Sequence, residues 1–214
     1  MIIHRTSRVW ILTPLFGIVT FIGLYVVAAL FYPGGSEFDR HAKGFSWLHN
    51  YWCNLLNEKS INGEDNSARP FAISAFLVLG LTLLSFWYIY PRQMQFGKKV
   101  RWLMQGSGLL CFSTLFFLTS ALHDTIINIG GFFGLMAMSG IYLNLYRNKW
   151  YKLFAIGLLN LLLIEANNYI YYSKQGFHFL PVVQKITFIT VLIWIAAIDV
   201  RLYFLSKLND VRLR

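Results

Sequence analysis

Five histidines and nine acidic residues carry most of the acid–base and metal-ligating chemistry open to this 214-residue chain. They are unevenly placed: His41, His49, His123, Asp124, Glu165 and His178 all fall toward one side of the long apolar segments between them. Imidazole and carboxylate are zinc ligands, and catalytic zinc sites use three protein ligands with water in the fourth position. A bound metal would lower the pKa of that water and supply hydroxide at neutral pH. One reading therefore takes His49, His123, Asp124 and His178 as ligands of Zn, with Asp124 and Glu165 as catalytic groups and Glu165 as general base. The chain would then be an intramembrane metal-dependent hydrolase of a lipid headgroup or amide. No His-x-x-x-His or His-Glu-x-x-His spacing occurs, so that signal is positional rather than a motif.

The favoured reading needs no cofactor. Between Gly44 and Asn57, helical spacing would put Trp47, Leu48, Tyr51, Trp52, Leu55 and Leu56 on one broad apolar face, with His49, Asn50, Asn54 and Asn57 opposite. Such an amphipathic helix over 44–57 lies in a membrane interface or caps a bundle. Trp47, His49, Asn50, Trp52 and, from a later segment, Asn168 are then the contacts for a membrane lipid or another membrane protein. This is binding without catalysis, at one end of the molecule.

The elements that must position these residues are apolar helices. The chain is 57% hydrophobic and 13% charged, whereas soluble domains run nearer a quarter charged. A helix crossing the hydrocarbon core needs about 20 mostly apolar residues. Six stretches qualify, at 10–32, 70–90, 102–122, 125–146, 150–172 and 181–204. None alternates strictly, which argues against barrel strands, and lipid leaves helices as the other way across. The predicted architecture is all-α: a single polytopic bundle of six transmembrane helices over 1–214, with an extracytoplasmic loop at 33–69. The first apolar run, after Arg5 and Arg8, exceeds the roughly 7–15 residues of a signal-peptide core and reads as a retained anchor.

The net charge of +10 serves topology. Thirteen of the 19 Lys and Arg residues, from Arg5 and Arg8 to Arg212 and Arg214, lie in the tails and the loops on the same side as the tails. The positive-inside rule puts both termini in the cytoplasm of a plasma membrane, and the basic excess suits anionic headgroups rather than nucleic acid. Trp and Tyr cluster at the span ends, where amphipathic rings prefer the headgroup layer. Cys53 and Cys111 belong to no paired motif, and their different expected depths argue against a bridge.

Three segments carry a resemblance. Tyr32–Pro33–Gly34–Gly35–Ser36, then Gly44–Phe45–Ser46 with Asn50, then Asn66–Ser67–Ala68–Arg69 before an apolar span resemble a group of six-span microbial membrane proteins. These are distantly similar to the damage-regulated autophagy modulator type. The likeness covers mainly residues 32–80 and implies fold and topology without an activity.

Ionisable groups inside spans cost roughly 2.5–3.5 kcal/mol each at the membrane centre, so each needs a reason. Glu165, near Asn160, Asn167 and Asn168, either faces a cavity as a hydrogen-bonded carboxylate or bridges helices without chemistry. Asp199 is expected to pair with Arg201 or a basic loop. Gly130 and Gly134 have the small-xxx-small spacing that lets another helix approach, and Gly106 and Ser113 read as part of an interior stripe.

Overall fold

The computed structural model describes residues 8–117 and 122–212, with the side chains of His123 and Asp124 outside that description. Helix is the dominant element: α1 (Thr13–Leu30), α2 (Arg69–Gln93), α3 (Lys98–Thr114), α4 (His123–Arg147), α5 (Tyr151–Ser173) and α6 (Leu180–Arg212). Among the described residues there is no β-strand, only two isolated bridges, Gly34 with Lys43 and Lys59 with Asp65. Five helical segments are long and apolar enough to cross a membrane: Val9–Leu30, Arg69–Gln93, Thr125–Arg147, Tyr151–Ser173 and Phe177–Leu208.

The predicted span at 102–122 differs. Its helix, α3, starts earlier, with Lys98, Lys99 and Arg101 in the first turn, and ends at Thr114 in a short 3-10 turn, Leu115–Phe117. Its 17 residues reach about 26 Å at 1.5 Å each, short of a hydrocarbon core of about 30 Å. Residues 118–121 lie outside the described residues.

Two compact units share the helices: Met1–Val19, Val78–Phe154 and Trp194–Arg214 form the first, Thr20–Leu77 and Ala155–Ile193 the second. In the first, close approach is made by glycine. A Cβ on Gly17 would strike Thr82, and one on Gly108 would enter the Trp87 ring. Gly130 of α4 sits against Thr114 of α3 and Gly140 against Met104, so the α3–α4 pair packs through small residues as the spacing implied. The buried face of α3 is Met104, Ser107 and Gly108. Gly106 and Ser113, expected inside, are exposed because they lie on the opposite side of that helix. Trp194 donates its indole N–H to the Leu153 carbonyl at 2.7 Å and stacks on Tyr142; Tyr90 donates to Asn144 Oδ1 at 2.9 Å.

Asp199 departs from expectation. Its side chain is fully buried, and neither carboxylate oxygen finds a hydrogen-bond partner among the described residues. Arg201, two residues on, points elsewhere on the helix and lies over the Trp150 ring, 5.3 Å from its centroid. A buried, unpaired carboxylate destabilises the fold that holds it. Asp199→Leu replaces the unpartnered carboxyl with an apolar group of similar size and should raise the thermal midpoint in detergent, by about 1–3 kcal/mol of stability. An unchanged or lower midpoint would show that the membrane-embedded protein supplies a counter-group.

The second unit has an aromatic centre. Phe21 and Tyr25 of α1, Phe76 of α2 and Phe188 of α6 converge with Trp52 from the 33–68 loop, at ring-centroid separations of 4.7–6.2 Å. Rings tilted or edge-on at such distances add to their area burial.

Candidate functional site

The 33–68 loop is a folded cap, and its fold comes from side chains bonding to backbone. Gly35 N–H reaches the Ala42 carbonyl at 2.7 Å and Ser36 N–H the Asp39 carbonyl at 2.8 Å, closing a first bend. Ser60 N–H to Glu64 at 2.9 Å and Asn66 N–H to Glu58 at 3.1 Å close a second. Gly35 has φ +83°, and a Cβ there would strike the backbone of Ile61 and Asn62, so only glycine lets the two bends meet. The exposed pairs Lys59–Asp65 and Arg69–Glu58 decorate the second bend and are worth little. Lys59 nonetheless holds the Asp65 carboxyl below its usual range.

Three asparagines organise the rest. Asn50, with no exposed surface, accepts from Ser46 N–H at 2.8 Å and donates to the Gly35 carbonyl at 2.8 Å. Asn54 accepts from Tyr51 N–H. Asn66 donates to the carbonyls of Asn54, Leu55 and Asn57 at 2.9–3.2 Å and accepts from Ala68 N–H, where α2 begins. This is the physical reason the expected 44–57 amphipathic helix is absent. Asparagine amides take the N–H groups that a helix would need, Tyr51 is extended, and only Trp52–Leu56 is helical, as a 3-10 segment. The face predicted as one apolar stripe is divided: Trp52, Leu55 and Leu56 are buried, whereas Trp47 and Leu48 are 49% and 62% exposed.

The start of α6 anchors the cap. Gln184 Oε1 accepts from Trp52 N–H at 3.1 Å, and Gln184 Nε2 lies 3.7 Å from Cys53 Sγ. The buried Lys185 ammonium donates to the carbonyls of Asn50 and Pro181 and lies over the Phe45 ring, 5.8 Å from its centroid. Tyr25 of α1 donates to the Trp52 carbonyl at 2.9 Å. Burial pushes the Cys53 thiol up, with Gln184 opposing, so it stays protonated and inert at neutral pH. Burial, with Glu37 adding to it, pushes Tyr51 up to about 12.

The residues singled out by sequence take separate places. Asn50 and Trp52 are interior to the cap, where they hold it together. Trp47 is exposed, edge-on to Phe45 at 5.2 Å. His49 is exposed against Phe38 at 5.0 Å, and His178 is exposed in the turn before α6 against Phe179 at 3.8 Å. His41 is exposed, its backbone N–H on Asp39 Oδ1 at 2.8 Å. Glu165 and Asn168 are exposed on α5, whereas Asn167 donates to Thr187 at 2.6 Å and Asn160 is buried without a hydrogen-bond partner among the described residues. His123 and Asp124 open α4, with their side chains outside the described residues. Among the described residues no three His, Cys, Asp or Glu side chains come together as metal ligands would.

Sequence reading missed Gln184 and Lys185. The usable signal was a lysine four residues past Pro181 at the head of a long apolar run, where an ionisable group requires a partner. What the cap leaves outside is informative. Phe38, Trp47 and Leu48 remain exposed on a loop whose other large apolar side chains are buried or half-buried. Arg40, His41 and Lys43 line an open cleft with Asn62, Gly63 and Glu64. Aromatic edge and basic cleft belong to the same folded loop. Comparison of the chain with family models, curated proteins and solved structures finds no match.

Proposed function

We propose that this chain is a multi-pass plasma-membrane protein that binds a membrane lipid with an anionic headgroup through its 33–68 cap, on the extracytoplasmic side. The observation that carries the proposal is the exposure of Phe38, Trp47 and Leu48 on a loop fixed from beneath by Asn50, Trp52 and Lys185. A rigid loop has no internal reason to leave a tryptophan and a leucine in water. Rings and aliphatic groups at a membrane surface enter the headgroup–acyl boundary, and Arg40, His41 and Lys43 in the neighbouring cleft suit a phosphate. The weight of Lys and Arg toward the tails supports cytoplasmic termini, a reading that requires the 102–122 stretch to cross as a sixth span, and hence an outward cap. Five helices long and apolar enough to cross are compatible with this membrane setting.

Burying one large apolar side chain contributes about 1.5–3 kcal/mol, which is roughly ten- to hundredfold in affinity. Trp47→Ala should therefore reduce retention of phosphatidylglycerol on the delipidated, purified protein at least about tenfold, read by native mass spectrometry. The thermal midpoint should hold, since Trp47 is no part of the aromatic centre. Undiminished retention in a Trp47→Ala, Leu48→Ser double variant would overturn the proposal.

A further inference from the structure

The carboxyl of Asp199, fully buried and without a hydrogen-bond partner among the described residues, has company in the first unit. The indole N–H of Trp87, also buried, finds no acceptor among the described residues. The backbone beside that ring is underserved as well. Pro91, inside α2, has no N–H to give the Trp87 carbonyl one turn back, and the Gln105 amide reaches that carbonyl only at 3.5 Å. Buried polar groups ordinarily have partners, so a donor, a carbonyl and a carboxyl left over in one unit call for water or an ion.

Helix geometry relates these groups to one opening. Gln93, Met94 and Gln95, at and just past the end of α2, line an open cleft of about 190 Å³ with Leu202, Leu205 and Ser206 of α6. Both helices run toward that cleft. Trp87 stands seven residues before Met94, and Asp199 seven before Ser206, and residues seven apart share a helix face. Indole and carboxyl therefore lie at one level, about 10 Å from the cleft at 1.5 Å per residue, on the faces that border it. Leu202, one turn past Asp199 on the same face, is the apolar side chain between the carboxyl and the opening. The chemistry of the groups then selects the occupant. An N–H donor in the set repels a metal cation, which takes oxygen ligands. Water accepts from the indole and donates to the carbonyl and the carboxyl, within the two to four partners that a buried water needs. A carboxyl out of water is relieved by taking up a proton, and the basic groups at that end are placed elsewhere. Arg92 lies over the Tyr88 ring and Arg201 over Trp150, while Lys98 and Lys99 are exposed at the start of α3. Tyr90 donates to Asn144, Tyr142 stacks on Trp194, and α1 brings no titratable side chain to this unit between Val9 and Val19.

We infer that Asp199 is a proton-binding site, hydrated beside Trp87, which exchanges its proton with the compartment that the α2–α6 cleft opens to. Asp199 lies within the candidate span Phe177–Leu208, and carboxyl groups inside spans are the carriers of proton relays. The site includes none of the cap residues, so it stands or falls independently of lipid binding there.

The test uses the full-length protein, uniformly oriented in phosphatidylcholine vesicles, with pH set separately on the two sides and infrared difference spectra recorded. Raising the pH on the cleft side from mildly acidic to alkaline should remove the carbonyl-stretch band of a protonated carboxyl and bring up carboxylate bands. Raising it on the opposite side should leave both unchanged. The response should be lost in Asp199→Asn and in Asp199→Leu, two variants of which the second is expected to be the more stable, and Leu202→Ala should hasten it. A carboxyl band that ignores the pH on the cleft side would overturn the inference. So would one that follows the opposite side, or a response that survives both substitutions at Asp199; circular dichroism and thermal unfolding check that each variant is folded.

Discussion

Trp52→Ala is expected to cost about 3–5 kcal/mol of stability, the range for deleting a large buried aromatic, and to release the cap from the helices. The reason is where the ring sits. Trp52 comes from a loop yet fills the space among Phe21, Tyr25 and Phe188, nearest to Tyr25 at a centroid distance of 4.7 Å. No neighbouring chain atoms can follow the truncated side chain inward, because the backbone on either side is pinned. Its N–H is held by Gln184 and its carbonyl by Tyr25. A cavity therefore remains, and cavity volume adds to the lost transfer energy. Thermal unfolding in detergent reads the global loss, and limited proteolysis reads the local one, with new cleavage between residues 33 and 68. Trp52→Phe, which keeps most of the ring, should lose less than half as much. If Trp52→Ala left both the midpoint and the digestion pattern unchanged, the cap would not be held by this cluster.

What could be read from sequence follows the length scale of each interaction. The spans at 10–32, 70–90, 125–146, 150–172 and 181–204 each overlap a helix that is long and apolar enough to cross, since length and composition alone decide that property. The stretch at 102–122 is α-helical only as far as Thr114, where the 3-10 turn Leu115–Phe117 takes over, a break that apolar content alone does not announce. The cap was illegible for a different reason. Trp47 to Leu56 has helical spacing, but the outcome turned on whether Asn50 and Asn54 side chains would capture backbone N–H groups, and that depends on Gly35 and Lys185 far away in sequence. Trp47 and Trp52 looked equivalent on the helical face, yet one is exposed and the other is the centre of the second unit.

Asn50→Ala is the second large effect expected, and it separates hydrogen bonding from packing. The amide carries two bonds that hold different parts of the cap: Oδ1 takes Ser46 N–H and Nδ2 serves the Gly35 carbonyl, both at 2.8 Å. Removing it strands both backbone groups, and a buried donor or acceptor left without a partner costs about 1–3 kcal/mol. The sum is about 2–6 kcal/mol, comparable to losing the Trp52 ring although far fewer atoms disappear. The effect should also spread. Lys185 donates to the carbonyl of Asn50 itself, so a shift of residue 50 removes one of the two acceptors that compensate a buried ammonium, and an uncompensated buried charge is among the costliest defects a fold can carry. Asn50→Asp discriminates the two bonds. It keeps an acceptor for Ser46 N–H but sets a carboxylate oxygen against the Gly35 carbonyl, so it should be no more stable than alanine near neutral pH and should recover as acid protonates the new carboxyl into a donor. Hydrogen exchange at Ser46 and in the 34–44 bend, measured for both variants, locates the damage. Protection retained there in Asn50→Ala would mean that the bends are closed by their own backbone bonds, with the asparagine contributing little.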